Sequence, residues 1–145
     1  MENLRELLYS KQHRQAQDIC AALESESEES DALYADLPLF LEMLGSDSAY
    51  VRVRGFRLIC AQAKWDSGNL LDRHLNRILQ ALEDDKPTNL RQYLSVLPKL
   101  LAAKPELREP VREKLISLDP TRYRDTMAPL IAKDIRAVLD ELENR

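Results

Sequence analysis

The segment SAYVRVRGFRLICAQAKW, residues 48–65, decides the fold. Its first half alternates apolar and charged residues as a half-buried strand does, but a strand would mix arginines with aliphatic residues on both faces. A helix, turning about 100° per residue, separates the charged side chains from an apolar side around Phe56 and Ile59. The segment therefore predicts a helix over residues 48–64. Its expected N-terminal cap is one of Ser46, Asp47 and Ser48.

The composition favours helix through the rest of the chain. The 145 residues include three glycines; 44% are hydrophobic and 32% are charged. Such a composition is typical of a globular chain rather than a disordered one. Leucine, alanine, glutamate, arginine and lysine dominate, and all five are good helix formers. The length suffices for a core of its own, so a single domain over residues 1–145 is expected.

Amphipathic spacing divides the chain into about eight helices joined by short turns. The predicted helices are a short one at residues 4–8, a second one capped by Ser10, and further ones over about 31–44, 48–64, 70–84, 88–104 and 105–118, with a last one from about 122 or 125 to 142. Pro38, Pro98 and Pro129 are expected to lie inside their helices, where proline kinks the chain. The sequence shows no strand pattern and predicts an all-α protein of antiparallel neighbouring helices.

Two turns of the chain resemble each other. LGSDSAYVRVRG and LEDDKPTNLRQY each place an acidic turn between a leucine and an aliphatic–arginine pair. The leucines, Leu44 and Leu82, and the pairs, Val51-Arg52 and Leu90-Arg91, recur with nearly the same spacing. A period of about 40 residues in a helical chain is typical of stacked hairpins, because one hairpin cannot bury its apolar face alone.

LPLFLEMLGSDSAYVRVRGFRLICAQA resembles a HEAT repeat, with Pro38 in the first helix, Asp47 in the turn and Val51-Arg52 early in the second helix. LNRILQALEDDKPTNLRQYLSVLPKLLA is similar, with Asp85 and Leu90-Arg91, but its first helix lacks proline. A third copy, SLDPTRYRDTMAPLIAKDIRAVL, keeps only an aspartate and a proline. The resemblance extends to small bacterial HEAT-like proteins of unknown function. It implies an α-α superhelix with N-terminal helices and an acidic loop at residues 1–30, two repeats at 31–105 and a divergent hairpin at 106–145.

The same resemblance implies a structural role for Arg52 and Arg91. In a HEAT-like stack such an arginine bonds the carboxylates and carbonyls of the turns, here those of Asp47 or Asp85. The planar, bidentate guanidinium suits this role. A contact between these arginines and a ligand is the alternative.

Charge is segregated along the chain, although the net charge is −4. Residues 24–47 hold eight acids and no base, whereas residues 48–65 hold four cations and no acid. A basic patch is therefore expected on the side of the 48–64 helix that faces away from the core. Its members are Tyr50, Arg54, Arg57, Lys64 and the neighbouring Trp65. This patch is expected to bind a protein or peptide with an acidic segment; nucleic-acid phosphates are the alternative partner, and an ordinary solvated face is the third interpretation.

The acidic run ESESEES, residues 24–30, is expected to form a solvated helix end and a surface connector. An acidic docking tail is the alternative. The N-terminus has no signal-peptide pattern, and no apolar run approaches about 18 residues. A cytoplasmic location without membrane contact is therefore expected, and the oligomeric state stays open.

Motifs for catalysis or metal binding do not stand out in the sequence. Cys20 and Cys60 lie far apart in the chain without a C-x-x-C pair, so buried free thiols are expected rather than a metal or iron–sulfur site. His13 and His74 are isolated. Asp66, beside Trp65, is a weak candidate for the chemistry of the HEAT-like DNA glycosylases. The sequence thus predicts a non-enzymatic interaction or scaffold module that uses the second helices of its repeats and needs no cofactor.

Overall fold

The computed structural model describes residues 3–144, and this part of the chain contains nine α-helices and no strand. The prediction of an all-α protein is therefore confirmed. The α-helices are α1 (Leu4–Leu8), α2 (His13–Glu26), α3 (Leu37–Met43), α4 (Ala49–Gln62), α5 (Leu70–Arg73), α6 (Leu75–Ala81), α7 (Pro87–Ala103), α8 (Arg108–Ser117) and α9 (Ala128–Glu143). Short 3-10 turns cover Tyr34–Asp36, Ala63–Trp65, Pro105–Leu107 and Pro120–Arg122. Within residues 3–144, none of the helices is long and apolar enough to cross a membrane.

The helix predicted from the segment 48–65 is α4, and it lies at the centre of the molecule. The backbone N–H of Val51 donates to Ser48 Oγ at 3.4 Å, which makes Ser48 the N-terminal cap. α4 packs against α2, α3 and α7. Because three helices surround it, α4 is buried over most of its circumference rather than on one side. Its buried residues are Val51, Arg54, Gly55, Phe56, Leu58, Ile59, Cys60, Ala61 and Gln62.

α3 and α4 approach each other most closely at Gly55. A Cβ atom placed on Gly55 would lie 2.7 Å from Met43 Cβ and 2.9 Å from the carbonyl oxygen of Phe40. Both distances are shorter than van der Waals contact, so the crossing requires a residue without a side chain at this position.

Four of the longer helices follow one another in a row. α2 packs against α4, α4 against α7, and α7 against α9, while α3 packs on α4 and α8 on α9. Apolar side chains fill the space between these helices, and the rings of Phe56 and Tyr93 stack with their centroids 4.4 Å apart. We call α2, α4, α7 and α9 the helix row.

Two of the three prolines predicted inside helices lie in first turns instead. Pro38 lies in the first turn of α3 and Pro129 in the first turn of α9. A helix leaves its first N–H groups without an intrahelical partner, so a residue without an N–H costs little there. Pro98 lies inside α7, as predicted.

The predicted helix boundaries also differ from the structure elsewhere. The helix expected over residues 31–44 is a 3-10 turn at Tyr34–Asp36 followed by α3 at Leu37–Met43, and the last helix begins at Ala128 rather than near residue 122 or 125. The helix expected over residues 70–84 is divided at His74, whose φ of −109° and ψ of 20° leave the helical region. The second helix begins at His13 rather than directly after Ser10. The hydroxyl of Ser10 instead accepts the N–H of Gln12 at 3.0 Å, which forms a local turn before the helix.

Cys20 and Cys60 are both free and buried, as predicted. Burial raises the pKa of each thiol to about 12. Both therefore stay protonated at neutral pH and behave as small core side chains rather than as nucleophiles.

Candidate interaction surface

Arg54 is buried, so the prediction that it lies on an exposed face of α4 is wrong. The residue is 4% exposed. Its Nη1 donates to the carbonyl oxygens of Leu8 at 2.6 Å and Ser10 at 3.2 Å, and its Nη2 lies 2.8 Å from His13 Nδ1. The last carbonyls of a helix lack partners within it, and Arg54 supplies donors at the end of α1. Burial lowers the pKa of the Arg54 guanidinium.

Replacement of Arg54 by alanine is expected to lower the free energy of unfolding by about 2 kcal/mol, because the carbonyls at the end of α1 lose charged donors. Equilibrium unfolding in urea measures this change. Arg14→Ala removes the same charge from an exposed position on α2 and serves as the control. Equal stability of the two variants would contradict a structural role for Arg54.

The other members of the basic patch contact the end of α2. Arg57 Nε lies 3.0 Å from a carboxylate oxygen of Glu24, and Lys64 Nζ donates to the carbonyl of Glu28 at 2.7 Å. The indole N–H of Trp65 donates to the carbonyl of Ser27 at 2.7 Å. Lys64 also lies 5.0 Å from the centre of the Trp65 ring.

Tyr50 differs from the rest of the patch because it is 59% exposed. Its ring stacks on His13, with centroids 3.7 Å apart and an interplanar angle of 16°. The predicted patch is therefore brought together by the structure, but α2 lies over most of it.

The acidic run forms the helix end and surface turn that the sequence suggested, with Ser25, Glu26, Glu28 and Glu29 exposed, but part of it also contacts the neighbouring helices. α2 continues through Glu26, and Ser27 is buried, with its hydroxyl accepting the side-chain N–H of Gln62 at 2.9 Å. Glu28 pairs with Lys99 of α7 at 3.1 Å. The first part of the run therefore docks on α4 and α7.

Arg52 has the structural role that the sequence predicted, but its main carboxylate partner is neither Asp47 nor Asp85. Arg52 Nη1 donates to the carbonyls of Ser46 at 3.0 Å and Asp47 at 3.2 Å. Its main carboxylate partner is Asp84, with Nε–Oδ2 at 3.0 Å and Nη2–Oδ1 at 3.2 Å. Asp85 is peripheral, 3.9 Å from Nη2. The pair is bidentate, as guanidinium geometry favours, but it uses the first aspartate of the turn.

Arg91 does not bond Asp85, so the contact that the sequence predicted for Arg91 is wrong. Arg91 Nε instead lies 2.6 Å from Asp134 Oδ2 on α9. The pair joins α7 to α9 across their exposed side, whereas Arg52 joins two turns.

Asp84 is the centre of a buried polar cluster, and its side chain is 3% exposed. Besides Arg52, it accepts hydrogen bonds from Tyr93 Oη at 2.7 Å, Asn89 Nδ2 at 3.1 Å and the N–H of Lys86 at 2.9 Å. Burial opposes ionisation of Asp84, but these hydrogen bonds outweigh it and lower the pKa of the carboxyl. Its donors thus hold the turn after α6 against α4 and α7.

Lys104 is the centre of a second cluster, at the end of α7. Its Nζ lies 2.7 Å from Asp72, 3.1 Å from Asp66 and 3.3 Å from Glu106, and it donates to Asn69 Oδ1 at 2.8 Å. Burial alone would lower the pKa of Lys104, but the surrounding carboxylates raise it. The lysine therefore stays charged and holds α5 and the loop before it against α7.

Asp66, the candidate for glycosylase-like chemistry, is enclosed in this cluster. Its side chain has no exposed area. Its carboxylate accepts the N–H groups of Leu70 at 2.9 Å and Leu71 at 3.0 Å and the hydroxyl of Tyr34. These bonds outweigh the effect of burial and lower the pKa of Asp66. The carboxylate thus caps the start of α5 and does not face an open cleft.

A groove of about 550 Å³ lies between α7 and α9 on the exposed side of the helix row. Its floor is apolar, and the Arg91–Asp134 pair spans it. The apolar lining consists of Leu94, Pro98, Met127, Ala137 and Val138. The polar lining consists of Thr88, Arg91, Gln92, Ser95, Asp134 and Glu141.

Sequence reasoning missed this groove because its two walls come from helices that are distant in the sequence. The available signal was a row of small or uncharged polar side chains on α7, at Thr88, Gln92 and Ser95. Their spacing places them on one helical face, next to the apolar stripe. The pattern did not indicate that α9 would lie beside that face.

The fold and this surface define an all-α protein with an open groove between two neighbouring helices. Comparison of the chain with models of known protein families, with curated proteins and with solved structures finds no match. The HEAT-like arrangement therefore stays a prediction.

Proposed function

We propose that this protein is a non-enzymatic interaction module that holds a peptide segment of a partner protein in the groove between α7 and α9. The observation that carries the proposal is the open, apolar floor of the groove on the exposed side of the helix row. This location corresponds to the surface of the second helices, which the HEAT-like prediction assigns to binding.

The size of the groove suits a short peptide. Its volume of about 550 Å³ falls within the range typical of ligand sites. Its α7 wall runs from Thr88 to Pro98, which corresponds to roughly 15 Å along the helix. An extended peptide of about five residues covers that length.

The polar groups of the groove favour the backbone of an extended segment. Gln92 accepts a hydrogen bond from Arg57 Nη1 at 2.8 Å, which fixes its side-chain amide on the rim. Thr88 flanks it with a hydroxyl group, and so does Ser95, whose hydroxyl donates to the carbonyl oxygen of Gln92 at 2.6 Å and keeps its acceptor capacity. Uncharged donors and acceptors of this kind match peptide N–H and C=O groups, while the floor accepts alternate apolar side chains. We therefore propose a partner segment with apolar anchors two residues apart.

The charges of the groove do not require a charged partner. Arg91 and Asp134 neutralise each other across it, and Glu141, the other charged residue of the lining, also has a partner within the chain. An apolar segment therefore avoids the cost of leaving a buried charge unpaired, whereas a charged anchor placed on Leu94 or Val138 would incur that cost.

Replacement of Ala137 by arginine, which fills the groove, is expected to weaken binding of groove-binding peptides at least tenfold. The peptides are selected from a displayed library of random dodecamers, and their dissociation constants are measured by fluorescence polarisation. Ala132→Arg is the matched control, because Ala132 is an exposed alanine of the same helix that lines the side facing α8.

Two outcomes would contradict the proposal. Selected peptides that bind Ala137→Arg as tightly as the unmodified chain would place the binding surface elsewhere. Peptides that lose affinity for the Ala132→Arg control to the same extent would indicate that the binding surface is not confined to the α7–α9 groove and includes the side facing α8. Circular dichroism of both variants checks that the helices are retained.

A further inference from the structure

The N-terminal helices are attached to the rest of the molecule by polar contacts and by an apolar contact, to which the partly buried Leu4, Tyr9 and Leu23 also contribute. We call residues 4–28, which comprise α1, α2 and its C-terminal end, the N-terminal cover. Its buried apolar residues are Leu8, Ala16 and Cys20. Its polar contacts to the rest of the chain come from Arg5, Tyr9, His13, Glu24, Ser27 and Glu28.

Beneath the end of this cover lies a line of three cations, Arg57, Lys64 and Lys99, which we call the cation row. Each contacts residues 24–28 of the chain itself. Arg57 Nε lies 3.0 Å from Glu24 Oε2, Lys64 Nζ lies 2.7 Å from the carbonyl oxygen of Glu28, and Lys99 Nζ lies 3.1 Å from Glu28 Oε1.

Two uncharged side chains complete the recognition of this segment. Trp65 donates its indole N–H to the carbonyl of Ser27 at 2.7 Å, and Gln62 donates to the hydroxyl of Ser27 at 2.9 Å. Gln62 is the last residue of α4, and Trp65 lies in the 3-10 turn that follows it. The pattern recognised on α2 is a carboxylate, a small hydroxyl residue three positions later, and a second carboxylate one position after that.

The outermost of these contacts is of a kind that opens readily, whereas the Ser27–Gln62 bond and the Arg54 bond to Leu8 are buried. The Lys99–Glu28 pair is exposed, with side-chain exposures of 42% and 53%. Exposed ion pairs contribute little to stability and weaken as salt screens them. A segment held by few buried apolar residues belongs to the part of a protein that unfolds locally before the core does. Opening is therefore expected to begin at residues 24–28, the C-terminal end of the cover, while α4, α7 and α9 stay packed.

We infer that the cation row, together with Gln62 and Trp65, is a binding site for the acidic end of a partner's helix, and that the N-terminal cover occupies this site in the closed molecule. The cover is thus an internal competitor. A partner helix with the same carboxylate–hydroxyl–carboxylate pattern binds when the cover is displaced. The site touches the α7–α9 groove at one contact, because Arg57 Nη1 also donates to Gln92 on its rim. The tests of the two proposals stay separate, because none of the residues substituted below lines the groove.

The probe is a synthetic peptide with the sequence of residues 18–31 and alanine in place of its cysteine. It is titrated into two full-length variants that remove the same charge from the cover. Glu24→Gln with Glu28→Gln weakens the contacts with the cation row. Glu26→Gln with Glu29→Gln is the matched control, because both side chains are exposed and form no ion pair within the described residues.

We expect the peptide to bind the Glu24→Gln/Glu28→Gln variant at least tenfold more tightly than the matched control, since the cover competes less. The affinity should fall as salt rises from about 0.05 to about 0.5 M. Fluorescence of Trp65 reports binding at the site itself, because it is the single tryptophan of the chain. Equal affinities for the two variants, or no binding to the first at low salt, would overturn the inference.

Two further measurements keep the inference testable if the variants are unstable. Hydrogen exchange on the unmodified protein should show α2 amides exchanging before those of α4 and faster at high salt. Exchange of both helices in a single step would overturn the inference.

The second measurement is a titration with a single-stranded oligonucleotide, run in parallel with the peptide. Binding of the oligonucleotide without binding of the peptide would reassign the cation row to nucleic acid.

Discussion

Replacement of Asp84 by alanine is expected to lower the free energy of unfolding by about 3 to 5 kcal/mol, a loss typical of breaking a buried ion pair. Asp84 accepts hydrogen bonds from Arg52, Asn89, Tyr93 and the backbone of Lys86. Without the carboxylate, the buried hydroxyl of Tyr93 and part of the Arg52 guanidinium lose their acceptor. Urea unfolding followed by circular dichroism measures the loss.

Asp85→Ala is the matched control for this prediction. The side chain of Asp85 is 76% exposed and lies 3.9 Å from Arg52. Its removal is expected to change the free energy of unfolding by less than about 0.5 kcal/mol, as is usual for exposed positions. Equal losses for the two aspartates would mean that the turn carboxylates act jointly rather than through Asp84.

The effect of Asp84 should also depend on pH. The pKa of its carboxyl is lowered in the folded state, so its stabilisation is present above the unfolded pKa of about 3.9 and is lost as the pH falls through the folded pKa. The difference in stability between the unmodified protein and Asp84→Asn should therefore shrink between about pH 5 and about pH 2. A difference that stays constant over this range would contradict the ionised state of Asp84.

The α-helical fold could be predicted because each helix carries its own periodic signal. α4 is the clearest case, since one of its three candidate caps, Ser48, caps it, and its end at Gln62 lies two residues before the predicted end at residue 64. The partners of its arginines could not be predicted in the same way. A helical projection assigns Arg54 to the side away from one apolar stripe, but it does not show that α1 and α2 pack on that side. The contribution of Arg54 to stability depends on its hydrogen bonds to the carbonyls of Leu8 and Ser10, which are distant in the sequence.

The sequence also does not distinguish the roles of two neighbouring residues of the same type. Asp84 and Asp85 are equivalent in the sequence pattern, and tertiary geometry decides that Asp84 faces Arg52 and Tyr93.

The basic patch was predicted from charge segregation, but its contact with residues 24–28 was not predicted. The signal for that contact was present, because the eight acids of residues 24–47 directly precede the cations of α4. The sequence predicted an acidic partner for the patch, and the structure places the chain's own acidic run there.

Replacement of Gly55 by alanine is expected to lower the free energy of unfolding by about 2 kcal/mol, because the added Cβ overpacks the crossing of α3 and α4. In an exposed helix the same change would raise stability by about 1 kcal/mol, because alanine is the better helix former. At Gly55 the added Cβ meets Met43 Cβ at 2.7 Å and the carbonyl oxygen of Phe40 at 2.9 Å. Relieving these contacts requires α3 to move away from α4, and overpacking of this kind costs about 1 to 3 kcal/mol or more.

Gly45→Ala separates the effect of the close crossing from that of losing a glycine. Gly45 is exposed, and the nearest atom to an added Cβ is the carbonyl oxygen of Glu42 at 3.6 Å, an ordinary contact distance. This variant is expected to be as stable as the unmodified protein or slightly more so, since alanine restricts the unfolded chain. Urea unfolding of both variants provides the comparison. Equal stability of Gly55→Ala and Gly45→Ala would contradict the close crossing of α3 and α4. It would mean that the space around Phe40, Met43 and Phe56 can accept an additional methyl group.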